Sequence, residues 1–135
     1  MSNKAASDTI LVVEDRVDLR LLLADVFEGE GYKVVIAANG QEALRTLEYH
    51  DVDVILTDLR MPVMDGVRFA QAVKADVHLK HIPIILLSAT PMTETWASLG
   101  IFNAFLWKPT LLEEIIGAVR RAHQNGPASS DFLAI

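Results

Sequence analysis

Short runs of β-branched and aliphatic residues recur along this chain, alternating with segments whose apolar residues return at helical spacing. The run Ile10-Leu11-Val12-Val13 follows Thr9 and stops at Glu14-Asp15, which predicts a strand covered on both faces. Leu19, Leu22, Leu23, Val26 and Phe27 then mark a first helix, closed by Gly29 and Gly31. A second strand is expected over Tyr32 to Ala37, and a second helix after Asn39, carrying Ala43, Leu44 and Leu47. Val52 to Thr57 reads as a third strand ending at Asp58, with Met61-Pro62 and Asp65-Gly66 as loop and turn. Val67, Phe69, Ala70 and Val73 support a third helix whose polar end, near His78 to His81, has no clear boundary. Ile82 to Leu87, with Pro83 near its start, ends at Ser88 and has the character of a central parallel strand. Met92 to Leu99 predicts a short fourth helix, and Ala104-Phe105-Leu106-Trp107 a fifth strand before Lys108-Pro109. Leu111, Leu112, Ile115, Ile116, Val119 and Ala122 give an amphipathic fifth helix.

Strict alternation of strand and helix implies an α/β fold, a doubly wound five-stranded parallel sheet with helices on both faces, because each parallel connection crosses back through a helix. At 135 residues the chain is one domain's worth. The expected boundaries are a tail over 1–8, the domain over 9–124, and a poorly ordered tail over 125–135, where Gly126-Pro127 interrupts the periodicity. A formal charge of −6 argues against coating nucleic acid, and the absence of cysteine excludes disulfides and thiolate metal sites. The polar start lacks a secretory apolar stretch and no apolar run approaches membrane-spanning length, so the cytoplasm is the default location.

Parallel strands all point one way, so the residues that terminate them gather along one edge of the sheet, where ligands bind in folds of this kind. Glu14 and Asp15 end the first strand, Asp58 the third, Ser88 the fourth and Lys108 the fifth. Singly, each has an ordinary explanation: an acidic pair before a helix, a loop acid, a turn hydroxyl, a solvated amine. Together they form a reactive set. Clustered carboxylates repel, and an all-oxygen donor set calls for a hard divalent cation, Mg²⁺ or Ca²⁺. One carboxylate then remains as a nucleophile able to form an acyl phosphate, with the lysine and serine placed to pair with phosphoryl oxygens.

Ile10-Leu11-Val12-Val13-Glu14-Asp15, the block from Asp58 to Gly66 (Asp58-Leu59-Arg60-Met61-Pro62-Val63-Met64-Asp65-Gly66), Ser88-Ala89 and Lys108-Pro109 together resemble the receiver domain of two-component response regulators. The likeness runs from Thr9 to about His123. It implies a flavodoxin-like sheet of order 2-1-3-4-5, with Asp58 as phosphoacceptor and Ser88 and Lys108 as phosphoryl-binding residues. Asp15 and Asp58 would bind Mg²⁺, for which Mn²⁺ can substitute, with Glu14 acting largely through water and Arg60 lending its backbone carbonyl. Phe105 would take the aromatic switch position, paired with Ser88, and the Lys108-Pro109 bond would be cis. The implied phosphodonor is a sensor histidine kinase or a histidine phosphotransfer protein. The implied output surface joins the fourth helix, fifth strand and fifth helix, and would receive a downstream protein or a second copy of the chain. Neither direct nucleic-acid binding nor membrane attachment is implied.

Phe105 stands where tyrosine is common, so a switch there rests on packing alone, and Thr110 replaces the usual aromatic after Lys-Pro. Arg60 and Thr90, each two residues beyond a site residue, are placed to tune the lifetime of the phosphoryl group. Trp107 is expected in the core, while Trp96 is balanced between core and surface. His50, His78, His81 and His123 are expected at the surface, away from the acidic edge. Two other classes remain open: an interaction module that is never phosphorylated, and a doubly wound phosphatase or nucleotide binder. The chain lacks the glycine-rich phosphate loop that the latter would need.

Overall fold

The computed structural model describes residues 8–89 and 100–125. Strands β1 (Thr9–Val13), β2 (Lys33–Ala37), β3 (Val54–Asp58), β4 (Ile84–Ser88) and β5 (Ala104–Trp107) alternate with helices α1 (Val17–Gly29), α2 (Gly40–Leu47) and α3 (Gly66–Ala75). The C-terminal helix, α4 (Leu112–Asn125), follows β5. The predicted helix over Met92 to Leu99, with Thr90 and Trp96, lies outside the described residues, as do the tails beyond Asp8 and Asn125. The five strands form one parallel sheet of order β2-β1-β3-β4-β5.

Every residue of β3 and β4 is buried, as the continuous apolar runs predicted for strands covered on both faces. Alternation along β1 divides the core in two. Leu11 and Val13 face a cluster with Ala43 and Leu47 of α2 and Phe69, Ala70 and Val73 of α3. Ile10 and Val12 face the other side, against Leu23 and Phe27 of α1 and Ile115, Val119 and Ala122 of α4. The helix starts are locally encoded. Asn39 Oδ1 accepts from the Glu42 amide at 2.9 Å, while Glu42 Oε1 accepts from Ala38 N at 2.8 Å, a reciprocal cap. At α3 the turn residue Asp65 is the cap, accepting from Arg68 N at 2.8 Å.

Several expectations are corrected. β2 starts at Lys33 rather than Tyr32, and β3 at Val54 rather than Val52. β4 begins at Ile84 rather than Ile82, because Pro83 has no amide to give the ladder. Trp107 is 59% exposed rather than core. It is the last residue of β5, an edge strand whose one neighbour in the sheet is β4, and the burial of β5 falls away toward that end. Leu22, Leu111 and Leu112 fit the helical period yet are exposed: α1 buries a narrower stripe than its sequence offers, Leu112 is the first residue of α4, and Leu111 precedes it.

Candidate functional site

Strand register assembles the site. Val13 pairs with Thr57, so the next residues, Glu14 and Asp58, arrive side by side at the end of the sheet. Ser88 pairs with Trp107, which puts Lys108 one step beyond β5 over the same edge. Carboxylate oxygens of Glu14, Asp15 and Asp58 all lie within 4.8 Å of one another. Lys108 Nζ bridges two of them, at 3.0 Å from Glu14 Oε1 and 3.3 Å from Asp58 Oδ1. The Lys108-Pro109 bond is cis, and Lys108 N donates to the Ser88 carbonyl at 2.8 Å, tying the lysine's backbone to the end of β4.

Glu14, Asp58 and Ser88 are buried, whereas Asp15 is exposed. Burial pushes the Asp58 carboxyl above its ordinary range, against the opposing pull of the Lys108 charge and the Leu59 amide, which donates to Oδ1 at 2.9 Å. Burial likewise raises Glu14, with the nearby Asp58 charge adding to the rise. The Arg16 amide, donating to Glu14 Oε2 at 3.1 Å, and Lys108 oppose it. Two desolvated carboxylates and a third acid open to water, served by one ammonium, leave an excess of negative charge. An all-oxygen donor set of this kind fits a hard divalent cation.

Two supporting residues escaped the sequence reading. Arg20 Nη1 donates to the Glu14 carbonyl at 2.8 Å and reaches the Asp15 carbonyl at 3.4 Å, so α1 clamps the turn that presents both acids. Gly66 packs directly on β3: a Cβ there would lie 2.2 Å from the Asp58 carbonyl oxygen. The Asp-Gly turn signal marked the position but not this contact. Between them, Val63 holds φ 72°, with Met64 N donating to the Pro62 carbonyl at 2.7 Å, a tight and strained turn in the loop over the site. Arg60 is exposed and lines a shallow cleft with Leu59, Met61 and Asp65. Phe105 is half-buried against Phe102, ring centroids 5.4 Å apart. Of the four histidines, His50, His78 and His81 are exposed as expected. His123 is half-buried instead, 3.6 Å from Asp8 at the far end of the sheet.

Fold and site together define a response regulator receiver domain. The family model of that description matches residues 10–120, and the chain belongs to the family. It is thus a phosphoacceptor module of two-component, phosphorelay signalling, which implies a histidine kinase or phosphotransfer partner. Among curated proteins it is similar to sporulation initiation phosphotransferase F of Bacillus subtilis, 33% identical over 85% of this chain and 93% of that protein. Among solved structures it resembles the response regulator TrrA of Thermotoga maritima, in complex with Mg²⁺-BeF. There the TM-score is 0.77 at 29% identity, covering 85% of this chain and 98% of the other. The receiver domain of sensor histidine kinase PA1611 of Pseudomonas aeruginosa, with a magnesium ion in its active-site cleft, gives 0.79 at 30% identity, covering 87% and 98%. Among the described residues, no helix is long and apolar enough to cross a membrane.

Proposed function

We propose that Asp58 takes the phosphoryl group from a phosphohistidine of a sensor kinase or phosphotransfer protein, and that the modified domain then presents an altered face to a partner. The observation that carries this reading is the Asp58 carboxylate, buried at the end of a central strand with Lys108 Nζ 3.3 Å from its Oδ1. An Asp58 oxygen attacks phosphorus, the O–P bond forms as the N–P bond breaks, and the departing imidazole keeps the electron pair and takes a proton. Lys108 turns from Glu14 toward a phosphoryl oxygen, and the Ser88 hydroxyl donates to another. Asp15, Asp58 and the Arg60 carbonyl would hold Mg²⁺, or Mn²⁺ in its place, with Glu14 acting through water. The ion, when bound, neutralises charge on the transferred oxygens.

Inward movement of Ser88 leaves room for Phe105, which has no hydroxyl and so moves as a packing element over Phe102. The surface beside it is already apolar: Trp107 and Leu111 are 59% and 63% exposed, supporting a docking face for a downstream protein or a second copy of the chain. On this reading the working domain is 9–124 and its location the cytoplasm, where a nucleotide-dependent kinase would feed it. Arg60 and Thr90, two residues beyond Asp58 and Ser88, would set the lifetime of the phosphoryl group; unchanged dephosphorylation in Arg60→Ala and Thr90→Ala would remove that assignment. The main test is phosphate incorporation from acetyl phosphate with Mg²⁺. Wild type labels and Asp58→Asn does not, whereas full labelling of the variant would overturn the assignment. Mg²⁺-dependent binding of beryllofluoride separates this reading from an interaction module that is never phosphorylated.

A further inference from the structure

At the opposite end of the sheet, Asp8, Asp53 and His123 bring two carboxylates and an imidazole within 4.8 Å of one another. We infer that they form a second cation site, selective for a borderline divalent ion of the zinc class and separate from the acidic edge. The donor set is the first reason: nitrogen with oxygen favours zinc and its transition-metal neighbours over Mg²⁺, whereas Glu14, Asp15 and Asp58 offer oxygen alone.

Spacing is the second reason. His123 Nδ1 and Asp8 Oδ2 are 3.6 Å apart, too far for a good hydrogen bond. Two ligands on one tetrahedral zinc, with bonds of about 2.0–2.2 Å, stand roughly 3.3–3.6 Å apart. The third reason is anchoring. The Asp8 carbonyl accepts from Lys33 N at 2.8 Å, at the foot of β1 and β2. Asp53 Oδ2 accepts from Thr9 N at 2.8 Å, while Asp53 N donates back to the Thr9 carbonyl. His123 is held on α4 with the Tyr32 ring beside it, centroids 6.3 Å apart. The nearby Arg120 pairs with Glu30 and also hydrogen-bonds Tyr32. Asp53 is exposed and borders an open cleft with Thr9, Lys33 and His50, so its carboxylate is in contact with water. The bound ion would join the feet of β1 and β3 to the C-terminal helix.

The test is calorimetric titration of the full chain, free of any polyhistidine tag, with Zn²⁺ in excess Mg²⁺. Wild type binds one Zn²⁺ and its melting temperature rises with Zn²⁺ concentration. His123→Gln and Asp53→Asn weaken binding at least about tenfold, the lower bound for losing even a supporting group at a metal site. Asn at position 53 keeps an acceptor for the Thr9 amide, so lost affinity there is not lost folding. Asp58→Asn binds Zn²⁺ like wild type, which separates this site from the phosphoacceptor. Unchanged affinity in His123→Gln, absence of stoichiometric binding, or loss on His50→Gln or His78→Gln instead would overturn the proposal and leave adventitious binding only.

Discussion

Replacing Gly66 with alanine tests how the fold holds Asp58 in place. The new Cβ would meet the Asp58 carbonyl oxygen at 2.2 Å and Leu59 Cα at 3.1 Å, both backbone atoms that cannot rotate away. Carbon and oxygen approach to about 3.3 Å without strain, so the start of α3 must retreat from the end of β3 by about 1 Å. That retreat stretches the bond from Gly66 N to the Leu59 carbonyl, now 2.8 Å. Its loss costs about 1 kcal/mol and the overpacked methyl about 1–3 kcal/mol, partly offset by up to about 1 kcal/mol of better helix propensity. The net is a destabilisation of about 1–4 kcal/mol, or roughly 3–16 °C in Tm for a domain this size. Urea unfolding should show a lower midpoint at constant m, and beryllofluoride affinity with Mg²⁺ should fall because the Asp58 backbone has moved. Gly29→Ala is the control: its Cβ meets nothing within 4 Å, so stability should hold or rise. A Gly66→Ala midpoint equal to or above wild type refutes the reasoning.

Lys108→Met leaves Glu14 and Asp58 buried without their ammonium and should cost on the order of 3 kcal/mol at neutral pH, read by urea unfolding. The deficit should shrink as pH falls and the two carboxyls protonate; a pH-independent deficit would assign the lysine a packing role only. Asp58 is raised in the folded state, which therefore binds more protons than the unfolded chain between the ordinary carboxylate pKa and the raised one. Without divalent ions, the stability of Asp58→Asn relative to wild type should accordingly grow as pH rises through that window, and a flat difference would contradict the shift. Lys74 donates to the Lys80 and Ile82 carbonyls at 3.0 and 2.7 Å, and burial lowers its pKa from 10.5 to about 8. Its stability contribution should rise with pH between about 8 and 10.5; Lys74→Met should lose that slope and expose residues 76–81 to limited proteolysis.

The strands and the acidic edge were legible because a parallel sheet writes itself locally: Ile10 to Val13 and Ile84 to Leu87 must be apolar on both faces, and the next residue is free to be polar. Register then needs no long-range knowledge to bring Glu14 beside Asp58, since each strand stops where its apolar run stops. What could not be read depends on neighbours remote in sequence. Trp107 has the composition of a core residue, but its place at the end of an edge strand decides its exposure. Arg20 looks like any helix-surface arginine until the turn at Glu14 and Asp15 folds over it. His123 was expected at the surface because nothing nearby announces Asp8, which lies at the other end of the described chain.

The same strand pair carries acids at both ends. Asp8 and Asp53 immediately precede β1 and β3, and Glu14 and Asp58 close them, so one edge of β1–β3 pairing gathers charge at the foot and the other at the head. Five residues of strand separate the two clusters by about 17 Å, roughly twice the screening length at physiological salt. Direct electrostatic coupling between them is therefore weak. Among the described residues, α4 spans the two ends: it starts three residues after Pro109 and carries His123 beside Asp8 in its last turn, a run of about 21 Å for its 14 residues. A displacement of Lys108 on phosphorylation and a tether at His123 would act near opposite ends of this helix, so communication through it would be a shift across Ile10, Val12 and Leu56 rather than a field through the sheet.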